Sequence, residues 1–163
     1  MSSNESELKD GINLLSKEIP IDEPQGGLNG VIRLAGSIVH GDKLGRILGY
    51  PTANIAVETG SPSVIDGVYA GWLVLDDQYM PAAISLGINS TFDAIERRLE
   101  AHVLDRTDLS IYGRKVTVIL GTHIRGMRKF PDVATLVARI EEDVCLARTW
   151  LQRNVHLSGQ GSS

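Results

Sequence analysis

A single cysteine, Cys145, stands among the 163 residues, so no internal disulfide can form and a reducing compartment fits. No apolar run approaches the ~20 residues that a membrane-spanning helix needs. The N-terminus also lacks the cationic-then-apolar layout of a secretory signal. Positive charge is not in excess either: 16 Lys and Arg stand against 20 Asp and Glu, a formal charge of −4. That balance argues against a general nucleic-acid or anionic-membrane binder. Aromatics make up 5% of the chain and form no basic-aromatic stripe of the kind that reads single strands. His40, His102, His123 and His156 show no zinc-ligand spacing. The commoner phosphate signatures are missing as well. Gly36-x4-Gly41 is followed by Asp42 and Lys43 instead of Lys and Ser or Thr, and no G-x-G-x-x-G occurs. These absences point to a cytoplasmic protein without nucleic-acid or membrane partners.

What is present is ordinary for one globular domain: 42% apolar and 22% charged residues. The excess negative charge lies wholly in residues 1–29, where six acidic residues face two lysines, while the rest holds fourteen of each sign. The chain therefore divides into an acidic leader or linker (1–29), a domain (30–153) and a loose tail (154–163). Leu8, Ile12, Leu15 and Ile19 recur at helical spacing, so the leader has the pattern of a short amphipathic helix. From residue 31 the signals are mainly β. Strands are expected over 31–39, 67–76, 81–88, 97–105 and 115–121, with turns at Asp76-Asp77-Gln78 and over 108–114. Several short strands joined by turns favour a closed antiparallel barrel, which leaves no exposed edge. The C-terminal part reads differently. Asp132 is set to cap a helix whose stripe runs Val133, Leu136/Val137, Ile140, Val144, Ala147 and Leu151. Cys145 falls in that pattern and is read as a small core hydrophobe. Trp150 on the same helix serves either packing or a ring pocket.

The stretch over residues 36–54, GSIVHGDKLGRILGYPTAN, organises the functional reading. Gly36, Gly41, Gly45 and Gly49 make a loop whose backbone can close on an anion, and Lys43 and Arg46 are cations suited to phosphate oxygens. Pro51 biases Tyr50 toward an extended shape. Thr52 and Asn54, two apart, then point the same way. A hydroxyl beside an amide oxygen suits Mg²⁺, which keeps waters and substrate phosphates as its other ligands. The whole is a candidate site for a metal-bound nucleotide. In the strand over 97–105, Leu99, Ala101 and Val103 share one face, and Arg98, Glu100 and His102 share the other. Pattern alone makes that second face a solvated polar one.

The motif G-x-x-x-x-G-D-x-x-G-R-x-L-G-Y-P-T-A-N resembles the start of the riboflavin kinase module of bacterial bifunctional riboflavin kinase/FMN adenylyltransferases. The similarity continues in order through Gly67-Val68-Tyr69-Ala70-Gly71-Trp72, Pro81-Ala82-Ala83-Ile84-Ser85-Leu86-Gly87 and Asn89-x-Thr91-Phe92. It then takes in Glu100-Ala101-x-Val103-Leu104-Asp105, Tyr112-Gly113 and Ile124-Arg125-Gly126-Met127-x-Lys129-Phe130, covering residues 33–152. The resemblance implies a mainly β fold, a six-stranded antiparallel Greek-key barrel with one long C-terminal helix. It implies transfer of the ATP γ-phosphoryl group to the 5′-hydroxyl of riboflavin, with Mg²⁺ as cofactor. Glu100 would be the base at a barrel opening, and Thr52 with Asn54 would hold the metal. Gly36, Gly41, Lys43, Gly45, Arg46, Gly49 and Asn89 would bind the nucleotide, and Arg125 and Phe130 the flavin. Phe130 and Trp72 are alternatively core aromatics. No His-x-Gly-His occurs, so a monofunctional kinase without an adenylyltransferase domain is expected, and a monomer is expected as well. The other reading is a non-catalytic flavin- or FMN-binding sensor. Two departures from the family pattern stand out: Ser90 in Asn89-Ser90-Thr91-Phe92, where a proline is usual, and Arg98, a cation two residues before Glu100.

Overall fold

A computed structural model describes residues 32–41, 44–58, 64–88, 97–107 and 109–154. The leader pattern at Leu8, Ile12, Leu15 and Ile19, the residues Lys43 and Asn89, and the tail beyond residue 154 lie outside those described. The strands are β1 (Ile32–Val39), β2 (Ala53–Val57), β3 (Gly67–Leu75), β4 (Gln78–Gly87), β5 (Arg98–Val103) and β6 (Lys115–Arg125). They close into an antiparallel barrel in the order β1-β2-β5-β4-β3-β6. β6 lies beside β3 and β2 beside β5, flanking the β3-β4-β5 meander, which is a Greek key. One helical turn, α1 (Leu44–Ile47), joins β1 to β2, and the long helix α2 (Val133–Arg153) follows the barrel. The expected mainly β barrel with one long C-terminal helix is the fold observed.

Period-two alternation decides what each strand contributes. Leu99, Ala101 and Val103 of β5 enter the barrel interior with Ile38, Ile55, Leu73 and Ile84, each burial contributing about 1.5–3 kcal/mol for a large aliphatic side chain. Arg98, Glu100 and His102 are thereby left on the outer wall. β3 does not alternate, because all nine of its residues are buried. Its outer side chains Ala70, Trp72 and Val74 meet Ile119 of β6 and Ala147 and Leu151 of α2 in a second apolar cluster. Trp150 lies edge-on to Trp72, centroids 5.8 Å apart. It also covers Gly121, where a Cβ would come within 2.7 Å of the indole. Both tryptophans are thus packing residues, and Trp72 is core.

Three expectations need correcting. Cys145 is exposed, not a core hydrophobe, because it lies on the face of α2 turned away from the barrel. Val133 is 45% exposed, so the apolar stripe engages the barrel only from Leu136 onward. β6 runs four residues past the expected Gly121, carrying Arg125 to the level of Val68. Gly121 and register shifts against β3 hide that continuation from a pattern reading. The polar turn does hold: Asp76 and Asp77 have φ of 51° and 66°, as a two-residue type I′ hairpin between Leu75 and Gln78 requires. Among the described residues, no helix is long and apolar enough to cross a membrane.

The start of α2 is set by Asp132, whose Oδ1 accepts from the Thr135 N–H at 2.7 Å. Hydrogen bonds from Thr135 hold the Asp132 carboxyl below its ordinary value. A carboxyl depressed in the folded state stabilises above its unfolded pKa, and that contribution disappears as pH falls through the folded value. Asp132→Ala is therefore expected to lower the melting temperature at pH 7. The deficit should persist down to about pH 4 and close only below it. A deficit independent of pH between 7 and 2 would contradict this account of the cap.

Candidate functional site

The outer wall of β5 and β4 carries the candidate site. Antiparallel pairing sets Glu100 of β5 between Asn54 of β2 and Ser85 of β4, and directly opposed residues share a face. Thr52, just before β2, donates its hydroxyl hydrogen to Glu100 Oε1 at 3.1 Å. Glu100, Arg98 and His102 form part of the floor of a cavity of about 340 Å³. Its far wall is Arg125, Met127, Arg128 and Phe130, and its roof is Leu136, Ile140 and Val144 of α2. The volume lies within the range of small-molecule sites, about 300–1,000 Å³. The lining grades from apolar under α2 to polar at Thr52 and Glu100, which suits an amphipathic ligand with a hydroxyl-bearing end. Glu100 therefore sits on the outside wall of the barrel and not at its opening, because the interior is filled by the apolar face of the same strand.

A second cavity, of about 260 Å³, lies on the other side of Thr52 and is lined by His40, Gly41, Arg46 and Tyr112 among others. His40 and Tyr112 stack with centroids 3.7 Å apart and planes at 19°. Among the described residues, Thr52 is the one that lines both cavities.

The glycine stretch divides. Gly41 lines the second cavity and Gly45 the first. A Cβ at Gly41 would come within 2.0 Å of the Asn54 amide nitrogen, so the loop lies directly on Asn54. Gly49 has φ of 93° and closes α1 through its N–H to the Arg46 carbonyl, a backbone role at a helix C-terminus. Gly36 corrects the expected loop: it sits within β1, paired with Val57 and Val116, and lines neither cavity.

Arg125 and Phe130 both line the first cavity, but Arg125 is already engaged. Its Nε donates to Asp143 Oδ1 at 2.9 Å, and a second nitrogen donates to Oδ2 at 2.8 Å. Arg139 also reaches Asp143, at 3.0 Å. Asp143 is 3% exposed, in the middle of α2. Arg125 and Arg128 lie over the Phe130 ring, 5.4 and 4.9 Å from its centroid, and Phe130 is buried beneath them. The expected flavin-end cation is thus a wall element pinned by a helix carboxylate, neither solvated nor loose. Asp143 was not foreseen; an acid inside an apolar stripe was its one signal. His102, foreseen only as a polar-face residue, accompanies Glu100 in the cavity floor. Among the described residues, no group of three or more His, Cys, Asp and Glu could hold a metal. A cation at Thr52 and Asn54 would have to draw most of its ligands from phosphate and water, which is how Mg²⁺ is commonly bound.

Comparison with known proteins identifies the family and supports the fold. The Flavokinase family model, described as riboflavin kinase, matches residues 28–151. The bifunctional riboflavin kinase/FMN adenylyltransferase of Escherichia coli K12 is 36% identical over 116 residues, 71% of this chain and 36% of that protein. The chain spans about a third of the length of the bifunctional relatives from Escherichia coli and Haemophilus influenzae. A solved riboflavin kinase from Trypanosoma brucei superposes with a TM-score of 0.55 at 25% identity, covering 84% of this chain and 92% of that one. A solved macrolide-efflux protein from Streptococcus pneumoniae superposes with a TM-score of 0.64 at 37% identity, over 72% of this chain and 38% of that one.

The buried clamp makes a direct prediction. Asp143→Ala leaves Arg125 and Arg139 without their shared carboxylate and is expected to cost about 3 kcal/mol of unfolding free energy. Urea denaturation measures it; a loss under about 1 kcal/mol, the size of an exposed pair, would mean the clamp is not buried in solution.

Proposed function

Because the chain belongs to the riboflavin kinase family, we propose that it transfers the γ-phosphoryl group of ATP to the ribityl 5′-hydroxyl of riboflavin, giving FMN and ADP. The observation that carries this reading is the meeting of two cavities at Thr52, whose hydroxyl is bonded to Glu100. Riboflavin lies in the larger cavity, its ring system between α2 and the Phe130 wall and its ribityl chain directed at Glu100. The nucleotide occupies the smaller cavity, with Gly41 and Arg46, which line it, near its phosphates, while Gly45 lines the larger cavity beside Thr52.

The 5′-oxygen attacks the γ-phosphorus while the bond from that phosphorus to the β–γ bridging oxygen breaks. The hydroxyl proton passes to Glu100, and ADP departs. Phosphoryl transfer depends more on positioning and charge neutralisation than on covalent help. Thr52 fixes one carboxylate oxygen, so Glu100 keeps its orientation when the alcohol arrives. Thr52 and Asn54 would hold Mg²⁺, whose charge offsets that gathering on the phosphate oxygens. Arg125, held by Asp143, and Phe130 form a rigid face for the ring system. A module that only bound flavin would need neither the acid nor the hydroxyl beside it.

On its own this domain is proposed to make FMN and, with no His-x-Gly-His among its residues, no FAD, and to act as a monomer. Chromatography of riboflavin incubated with ATP and Mg²⁺ tests both statements. Glu100→Gln is expected to cut turnover by a factor on the order of 10²–10⁴ while riboflavin still binds. Wild-type turnover in that variant would remove Glu100 from the chemistry, and FAD formed from FMN and ATP would overturn the single-activity reading.

A further inference from the structure

Thr52 stands one residue outside the sheet. The β2 ladder begins at Ala53, paired with Ala101 of β5, so ladder hydrogen bonds secure the chain only from that residue onward. Residues 50–52 have no regular structure, and Pro51 has no N–H to donate. Yet Thr52 must be held to within a few tenths of an ångström if its hydroxyl is to orient Glu100. The next residue along β5 from Ala101 is His102, and its ring Nδ1 lies 2.8 Å from the Pro51 carbonyl oxygen. A carbonyl oxygen only accepts, so Nδ1 carries the hydrogen in this contact. The edge of Tyr50 meets the same ring, centroids 5.5 Å apart at 72°.

We propose that His102 is a positioning residue: its Nδ1–H bond to Pro51 extends the β2–β5 pairing by one residue and thereby places Thr52 against Glu100. The side chain ties the Pro51 carbonyl to β5 beyond the last ladder pair, Ala53 with Ala101. This rests on the proposed phosphotransfer for its kinetic consequence, though not for its structural one. Because the bond is made by the ring nitrogen nearer the backbone, an asparagine amide reaches the same point and a glutamine amide overshoots it.

The experiment compares His102→Phe, His102→Asn and His102→Gln. Three quantities are read: kcat for FMN formation, riboflavin affinity by fluorescence quenching without ATP, and amide hydrogen exchange of the peptide covering residues 50–53. Phe and Gln are expected to lower kcat by about tenfold or more and to speed exchange in that peptide, with riboflavin affinity within about threefold of wild type. Asn is expected to restore both kcat and exchange protection. Equal behaviour of Asn and Gln, or unchanged exchange in both Phe and Gln, would overturn the proposal. Should wild type make no FMN, the phosphotransfer reading fails by itself, and the exchange pattern still decides whether His102 places Thr52.

Discussion

The hydrogen bond from the Thr52 hydroxyl to Glu100 Oε1, 3.1 Å long, is the point on which the rest of the structure bears. It joins the approach to β2 to the middle of β5, two segments 48 residues apart in sequence. Neither residue could find the other without closure of the barrel, which brings β2 alongside β5 across the β3-β4 excursion. Closure in turn needs the apolar faces of all six strands to fill one interior. Leu99 and Ala101 turn inward for that purpose, and the same alternation turns Glu100 outward. The face that carries Glu100 is thus a consequence of core packing, and the acid's position follows from the neighbours that surround it in the strand.

Helix α2 converts an exposed wall into a site. Its apolar stripe covers β3 and β6, making a second layer of core around Trp72 and Ile119. Past the edge of that layer, Leu136, Ile140 and Val144 overhang β4 and β5 and leave a cavity. One carboxylate in the stripe, Asp143, reaches across to Arg125 at the end of β6 and fixes the far wall. A buried charge pair of this kind contributes little net stability compared with apolar packing, yet it is costly to break, so it specifies one arrangement of helix and wall. The bidentate pair of Arg148 with Asp105 ties the same helix to the end of β5, and its hydrogen bonds hold the Asp105 carboxyl below its ordinary value. Exposed as it is, that pair guides the helix more than it stabilises it.

Much of this was legible in the chain. Alternation identified both faces of β5, and the helix stripe and its Asp132 cap emerged from period and capping chemistry. Its resemblance to a family lent Glu100 a role that alternation alone would have left as a solvated carboxylate. What escaped was whatever depended on which surface covers which. Strand parity says that Glu100 faces away from Leu99, but not that the outside is the covered side. A helical period shows a stripe, but not where along the helix contact begins, so Val133 and Cys145 were assigned inward and lie outward. Asp143 interrupts the stripe and could be valued only once Arg125 stood opposite. Gly36 shared the spacing of the loop glycines while belonging to a strand, because spacing does not distinguish a glycine that admits a ligand from one that admits a neighbouring backbone.

A crystal structure of the protein with riboflavin and a non-hydrolysable ATP analogue tests the central claim most directly. The account predicts the 5′-hydroxyl within hydrogen-bond distance of Glu100, the ring system between α2 and Phe130, and the terminal phosphate on the far side of Thr52. A flavin bound elsewhere on the barrel, or a terminal phosphate separated from Thr52 by the barrel wall, would contradict it.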